Sequence, residues 1–185
     1  VMPESNEDAR AIDRGQRWFR SSECASCHVP ELRLESRHFV TPYALNRPGN
    51  LNDTSQSFSF DMTTEGMTPR LEAAQGGGAV VRAYTDLKRH NMCDPDGIPG
   101  AVRHYCNERL LQGRPSTEEF ITRKLWDAGS SAPYGHRGDL PTLHEAIMAH
   151  GGDARKSRDR YARLSTTKQA ELIRFLKSLQ VVASL

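Results

Sequence analysis

Five consecutive residues, Cys24-Ala25-Ser26-Cys27-His28, constrain this 185-residue chain more than any other feature of its sequence. Two cysteines separated by two residues, with a histidine directly after the second, form the attachment signature of c-type haem. The two thiols can add to the two vinyl groups of one porphyrin only if they lie on one short turn, and the adjacent imidazole then reaches the iron. The sequence therefore predicts one covalently bound haem c, held by Cys24, Cys27 and His28.

Two other kinds of site use a Cys-x-x-Cys pair, and the surrounding sequence fits both of them poorly. A thioredoxin-like redox pair follows a buried strand in a βαβ unit, whereas Ile12, Gly15 and Phe19 recur at helical spacing before this pair. A zinc site needs a second closely spaced pair, and the other two cysteines of the chain are far apart. We therefore adopt haem attachment as the interpretation.

The other two cysteines, Cys93 and Cys106, are predicted to form a disulfide. Haem c is assembled outside the cytoplasm, where thiols oxidise, and an even number of cysteines in an exported protein is usually paired. A pair of free thiols is the alternative. The same reasoning predicts a periplasmic or otherwise extracytoplasmic location in a bacterium.

Charge and hydropathy exclude two kinds of interaction. The chain has 25 basic and 23 acidic residues, for a net charge of +2. A protein that binds nucleic acid needs a basic excess to neutralise phosphates, so no nucleic-acid partner is expected. The mean hydropathy is −0.65, and no apolar run approaches the about 20 residues of a membrane-spanning helix. We therefore expect no transmembrane segment.

Hydrophobic periodicity and capping residues predict an all-α fold. The predicted helices cover about residues 7–20, 79–90, 142–150 and 166–179. Asn6 or Glu7 is expected to cap the first helix, and Thr142 and Glu145 form a capping box for the third.

The segments between these helices are poor in periodicity and rich in small polar residues, proline and glycine. Residues 31–75 are predicted to be long loops with a short strand near 57–62. Ser116 and Glu119 have capping-box form, which favours a short helix there. An extended stretch over 120–124 is the alternative.

The first and last predicted helices carry matching apolar faces. Gly15 and Phe19 share one face of the first, and Leu172, Phe175 and Leu179 share one face of the last. This pattern resembles the cytochrome c fold, in which the N- and C-terminal helices cross through a glycine and aromatic residues. The resemblance implies a single cytochrome c-like domain over residues 1–185, with a haem core at about 8–30 and 120–180 and a loop-rich insertion at about 31–119.

Two blocks, at about residues 8–30 and 120–180, resemble a more specific family. The segment Ala132-Pro133-Tyr134-Gly135-His136-Arg137-Gly138 is followed by Thr142-Leu143-His144-Glu145-Ala146-Ile147, and then by His150-Gly151-Gly152. They resemble the C-terminal, electron-transfer haem domain of bacterial di-haem cytochrome c peroxidases. They resemble still more closely the bacterial di-haem oxidoreductases named as peroxidases. A third, weaker block is Tyr84-Thr85-Asp86-Leu87 with His90-Asn91-Met92.

The sixth ligand of the iron has several candidates in the sequence. They are Met62, Met67, Met92, Met148, His90, His104, His136, His144 and His150. In the predicted helix over 142–150, Leu143, Ile147 and His150 share the apolar face, so His150 would reach a haem that packs on that face.

The family resemblance points to the same residue. In the peroxidases, a Met fourteen positions after the His of a His-Asp-Gly motif binds the electron-transfer haem, and a relative that matures methylamine dehydrogenase has Tyr there. Counted from His136, that position here is His150. The resemblance therefore implies that His28 and His150 are the two axial ligands, with Met92 as second choice.

The sequence departs from the family pattern in two residues and in its number of haem motifs. Arg137 replaces the Asp of His-Asp-Gly, and Cys93 replaces a Gly after His-x-Met. The chain contains one Cys-x-x-Cys-His, so the peroxidatic haem of the family is not expected in it. We expect His136 to make a structural hydrogen bond rather than to bind iron.

Two charged segments have an ordinary and a functional interpretation. Asp94-Pro95-Asp96-Gly97 is predicted to be a turn rather than a calcium site. The basic segment 155–163 is predicted to be a solvated helix face; guidance of an acidic redox partner is the alternative.

These features together predict a function. We expect a mono-haem c-type cytochrome that transfers single electrons through a low-spin haem to and from redox protein partners. Two imidazole ligands leave no open site for peroxide, so an electron-transfer protein or subunit is expected rather than a self-sufficient enzyme. The alternatives are a haem peroxidase or oxidoreductase domain, and a fragment of a larger multi-haem enzyme complex.

Overall fold

The computed structural model of the chain describes residues 3–41, 58–66, 70–94, 104–111 and 113–180. The chain divides into two compact units: unit 1 combines Val1–Pro30 with Ala83–Leu185, and unit 2 is Glu31–Arg82. Unit 2 falls inside the predicted insertion at 31–119. The assignment of residues 1–185 to one domain stays a prediction.

Unit 1 contains the α-helices of the described residues. They are α1 (Asn6–Ser21), α2 (Leu143–Met148), α3 (Arg155–Ala162) and α4 (Thr166–Ser178), with 3₁₀ turns at Cys24–Ser26, His104–Cys106 and Gly152–Ala154. Ser5 caps α1 rather than the predicted Asn6 or Glu7, and its hydroxyl accepts a hydrogen bond from the Asp8 amide. The capping box of Thr142 and Glu145 is confirmed. Within the described part of the chain, no helix combines the length and apolar character that crossing a membrane requires.

Helices α1 and α4 cross at Gly15, as the sequence predicts. A Cβ at Gly15 would overlap the carbonyl group of Glu171 and approach the Cβ of Phe175, so only glycine permits this approach. Phe19, Leu172 and Phe175 are buried around the crossing, and the rings of Phe19 and Phe175 lie 5.4 Å apart. The buried cluster around the crossing also includes Tyr84, Leu143 and Tyr161 from other parts of unit 1.

Polar contacts flank the same crossing. Glu171 accepts hydrogen bonds from Arg14 at 2.6 Å and from the indole of Trp18 at 2.8 Å. One turn further along α4, the guanidinium of Arg174 binds the carboxylate of Asp8. Both carboxylates therefore belong to pairs that exist only when the two helices are together.

The predicted all-α fold is wrong, because three small sheets accompany the helices. The strands are β1 (Leu32–Leu34), β2 (His38–Thr41), β3 (Phe58–Asp61), β4 (Glu72–Ala73), β5 (Ala79–Val81), β6 (Arg89–Asn91) and β7 (Glu119–Ile121). Antiparallel sheets of order β1-β5-β4 and β2-β3 lie in unit 2, and β6 pairs with β7 in unit 1. The fold is therefore mixed α and β, and the predicted strand near 57–62 is confirmed as β3.

The predicted helix over 79–90 is also wrong. Val80 and Val81 in β5 are β-branched and favour a strand. Tyr84 and Leu87 then adopt positive φ angles of 53° and 57°, which a right-handed helix excludes. The proposed short helix after Ser116 does not form either. The alternative, an extended stretch over 120–124, agrees with the structure in part, because strand β7 covers Glu119–Ile121.

Candidate haem site

The Cys-x-x-Cys-His motif lies on one tight turn directly after α1. Glu23 has a positive φ of 61°, and the 3₁₀ turn Cys24–Ser26 follows it. The amide of His28 donates to the carbonyl of Cys24 at 3.0 Å, which closes the turn. Both cysteines are free thiols. This turn brings the two sulfurs and the imidazole to one place, as covalent attachment of haem requires.

The thiols do not have the electrostatics of a reactive redox pair. Burial raises the pKa of Cys24 to about 12 and also raises the pKa of Cys27. Thioredoxin-type pairs depend on a lowered thiol pKa.

The Cys27 sulfur lies within 4.8 Å of ligand atoms of Asp86 and His90, a group that can hold a metal ion. Asp86 and His90 already bind each other, since their side chains lie 2.8 Å apart.

A backbone carbonyl holds the imidazole of His28. Its Nδ1 lies 3.1 Å from the carbonyl oxygen of Tyr84. Because a carbonyl only accepts, Nδ1 carries the proton and Nε2 keeps its lone pair. The Thr85 amide donates to the Val29 carbonyl at 2.9 Å, and the Thr85 hydroxyl donates to the Thr122 carbonyl at 2.7 Å. The left-handed Tyr84 thus lies in a segment whose hydrogen bonds fix it beside the haem motif.

His150 is held in the same way by the helix that precedes it. Its Nδ1 lies 2.7 Å from the carbonyl oxygen of Ala146, so Nε2 again keeps its lone pair. Helix α2 ends at Met148, two residues before His150, rather than at His150 as predicted. Arg158 donates to the carbonyl of His150 at 3.1 Å. Gly151 lies so close to the Met92 carbonyl and Asp94 that a Cβ there would come within 2.8 Å of both.

The rings of His28 and His150 lie at the spacing of two imidazoles bound to one metal ion. Two metal–nitrogen bonds of about 2 Å in line, together with about 1.1 Å from each nitrogen to its ring centroid, would separate the centroids by roughly 6.2 Å. The measured separation is 6.4 Å. The carbonyl of Tyr84 faces Nδ1 of His28, and the carbonyl of Ala146 faces Nδ1 of His150. The backbone of Arg123 also forms a hydrogen bond with His28. A metal ion would bind through Nε2 of each ring. The donor set therefore fits a haem iron.

Burial keeps both imidazoles neutral. It lowers the pKa of His28 to about 4, with the neighbouring His150 as the next cause, while backbone carbonyls act in the opposite direction. Burial likewise lowers the pKa of His150. At neutral pH each ring therefore carries the lone pair that a metal ligand needs.

The predicted disulfide between Cys93 and Cys106 is confirmed, with Cα atoms 4.7 Å apart. Beside it, Asp94 is buried and paired with the guanidinium of Arg155, and Arg158 lies 3.7 Å from the same carboxylate. These ion pairs oppose a calcium site at Asp94. Asp96, the other acidic residue of the predicted turn, lies outside the described residues.

Other candidate ligands have different partners or positions. His136 lies 3.1 Å from the Glu108 carboxylate, as predicted for a structural histidine. His144 bonds the hydroxyl of Tyr161 at 2.8 Å, His90 bonds Asp86, and Met62 belongs to unit 2. Met67 and the side chain of His104 lie outside the described residues.

The basic segment 155–163 is largely paired. Arg155 and Arg158 bind Asp94, and Arg160 binds Glu23. The segment contains α3, but four of its cations have carboxylate partners within the protein, since Lys156 also lies 3.9 Å from Glu23. Guidance of an acidic partner by this segment stays a prediction.

Sequence reasoning missed the residues that support the two histidines. Tyr84 and Ala146 contribute backbone carbonyl oxygens. Every residue has such an oxygen, so the residue type does not indicate this role. Tyr105 lies edge-on to the His150 ring, with centroids 6.0 Å apart and an angle of 75°. The sequence offered one signal for Tyr105, namely that it directly precedes Cys106. A disulfide restrains the residues next to its cysteines as well as the cysteines themselves.

Comparison with known proteins identifies a family. Residues 54–179 match the family described as "Di-haem oxidoreductase, putative peroxidase". The matched range contains His150 and both disulfide cysteines and begins after the Cys-x-x-Cys-His motif. No curated protein and no solved structure shows significant similarity to the chain. Because the match covers more than half of its residues, this chain belongs to the di-haem oxidoreductase family, whose name implies haem binding.

Proposed function

We propose that this chain is a c-type cytochrome with one haem, which transfers single electrons and has His28 and His150 as axial ligands. The observation that supports this most directly is the 6.4 Å spacing of two partly buried imidazoles whose Nδ1 atoms both face carbonyl oxygens. Cys24 and Cys27 are the attachment points in this proposal. Their place on the turn before His28 fits that role.

When bound, the haem supplies a one-electron iron couple. His28 and His150 would hold the iron between them, which would leave no position on the metal for a small molecule. The carbonyls of Tyr84 and Ala146 orient the rings and increase the basicity of the coordinating nitrogens. Two imidazole ligands give a lower reduction potential than an imidazole with a methionine, so a comparatively reducing centre is expected.

A second function is favoured by the family match. The family name includes peroxidase, and a peroxidase needs an iron with an open or opening sixth position. In that case His150 would leave the iron in one oxidation state.

A related proposal is that the chain is a part of a larger multi-haem complex, since it carries one Cys-x-x-Cys-His motif and the family is di-haem. In each case the proposed location is the periplasm and the proposed partners are redox proteins.

The test begins with the protein from a bacterial host that matures c-type cytochromes. We expect its mass to exceed that of the polypeptide by one haem, and we expect a low-spin ferric absorption spectrum. His150→Ala should convert the spectrum to high spin and open the iron to carbon monoxide. His144→Ala is the matched control, because His144 lies on the preceding helix and bonds Tyr161 instead.

Different failures identify different errors. A bare polypeptide mass would refute covalent attachment. An unchanged low-spin spectrum in His150→Ala would refute His150 as ligand. A high-spin resting spectrum in the unmodified protein would favour the peroxidase function.

A further inference from the structure

The imidazole of His150 has an aromatic neighbour that no step of the proposed function uses. The ring of Tyr105 meets it edge-on, with centroids 6.0 Å apart and an interplanar angle of 75°. Tyr105 is backed in turn by Phe120, whose ring lies 5.2 Å away at 66°.

We infer that Tyr105 is the positioning residue that keeps the His150 imidazole on the iron, and that the Cys93–Cys106 disulfide keeps Tyr105 in place. This inference rests on the proposed function, because it assigns a role around the His150 ligand. In this role, Tyr105 would keep the iron closed to small molecules by holding His150 in place.

The ring of His150 needs such a support. Its described polar contact is one hydrogen bond, from Nδ1 to the carbonyl of Ala146. The hydrogen bond at Nδ1 restrains that side of the ring, and packing must restrain the rest of the imidazole. A packed aromatic edge beside the ring provides this restraint, because aromatic pairs prefer a defined edge-to-face geometry.

The disulfide connects this support to the backbone beneath His150. Tyr105 immediately precedes Cys106, and Cys106 is bonded to Cys93. The neighbours of Cys93 on both sides, Met92 and Asp94, are the residues against which Gly151 packs. The disulfide therefore links Tyr105, which contacts the His150 ring, to the segment around Cys93, which contacts the backbone at Gly151.

Phe120 sets the other side of the support. It lies on β7 opposite His90 of β6, and its ring also contacts that of His136 at 5.1 Å. Tyr105 is thus held between a sheet residue and the ligand ring. A smaller side chain at 105 would leave space into which the imidazole of His150 could rotate.

The test measures ligation rather than turnover, in the holo-protein with its disulfide intact. Carbon monoxide is the probe, because it binds ferrous haem only when the sixth position opens. Tyr105→Ala should raise the carbon monoxide association rate roughly two- to tenfold, the range expected for loss of one aromatic pair. Tyr105→Phe, which restores the ring without the hydroxyl, should restore the original rate.

Two further variants separate positioning from general loss of stability. Cys93→Ser with Cys106→Ser should shift the rate in the same direction as Tyr105→Ala. Ile12→Ala removes apolar contacts from the helix core of unit 1 and should leave the rate unchanged. If Tyr105→Ala does not fold, Tyr105→Leu and the double serine variant carry the same test.

The outcomes are distinct from those of the proposed function. If His150→Ala opens the iron while Tyr105→Ala, Tyr105→Leu and the serine variant all retain the original rate, the positioning role is wrong and the ligand assignment survives. If Ile12→Ala raises the rate as much as Tyr105→Ala, the effect is one of stability and the inference fails. If His150→Ala itself has no effect, the proposed function fails first.

Discussion

The helix crossing at Gly15 makes a quantitative prediction, and Gly15→Ala is the change that tests it. In the interior of an isolated helix, alanine is more favourable than glycine by about 1 kcal/mol. Here the added Cβ would meet the main-chain carbonyl of Glu171 and the Cβ of Phe175. Because neither is the flexible end of a side chain, the helices must separate. Overpacking of this kind costs about 1–3 kcal/mol. Because the backbone of Glu171 cannot move aside as a side chain could, we expect a cost near the upper end of this range.

The net loss is therefore about 2 kcal/mol in the free energy of unfolding. With a urea slope of about 2 kcal/mol per M, the midpoint of denaturation should fall by roughly 1 M. The assay is equilibrium urea denaturation of the holo-protein, followed by far-UV circular dichroism. Asp13→Ala, at an exposed position of the same helix, is the control and should change the midpoint little. A Gly15→Ala protein at least as stable as the original would refute the close-approach reasoning.

Three further changes test other parts of the structure. Removing the disulfide by Cys93→Ser and Cys106→Ser should lower the free energy of unfolding by about 3 kcal/mol, and an unchanged urea midpoint would contradict this. Thr85→Val removes two hydrogen bonds of a buried hydroxyl and should cost about 1–3 kcal/mol in the same assay. The pKa values of Asp8 and Glu171 are lowered, first by the side-chain hydrogen bonds from Arg174 and Trp18 respectively. The stability these carboxylates add is present above their ordinary values of 3.8 and 4.5 and is lost as pH falls through the lowered values. Asp8→Asn with Glu171→Gln should flatten that acidic decline, and an equally steep decline would contradict it.

Helix signals in the sequence were sufficient where local chemistry decides the structure. The capping box at Thr142 and the glycine–aromatic pattern of Gly15 and Phe19 are properties of neighbouring residues, and both features are present. The disulfide followed from the compartment that haem attachment implies. These predictions needed no knowledge of distant parts of the chain.

The strands could not be predicted in the same way. β1 has three residues, and its partner β5 lies more than forty positions later in the sequence. Strands this short carry too few residues for an alternating pattern to be recognised. The segment at 79–90 has apolar residues at helical spacing, yet Tyr84 and Leu87 are left-handed. Tertiary hydrogen bonds of Thr85 override the local helical preference there.

The sequence pointed to the two histidines of the candidate site but not to the groups that support them. His28 follows from the motif, and the choice of His150 followed from helix geometry and family resemblance together. The structure brings these two rings together, while their binding of iron stays a prediction. The carbonyls of Tyr84 and Ala146 act through the backbone, so their identity as supports depends on the fold and not on the side chain.

Electron paramagnetic resonance of the ferric holo-protein tests the central claim most directly. Two imidazole ligands from His28 and His150 predict a low-spin signal. The electron spin of the iron should couple to nitrogen nuclei of both histidines. A dominant high-spin signal, or coupling to one histidine alone, would contradict the account.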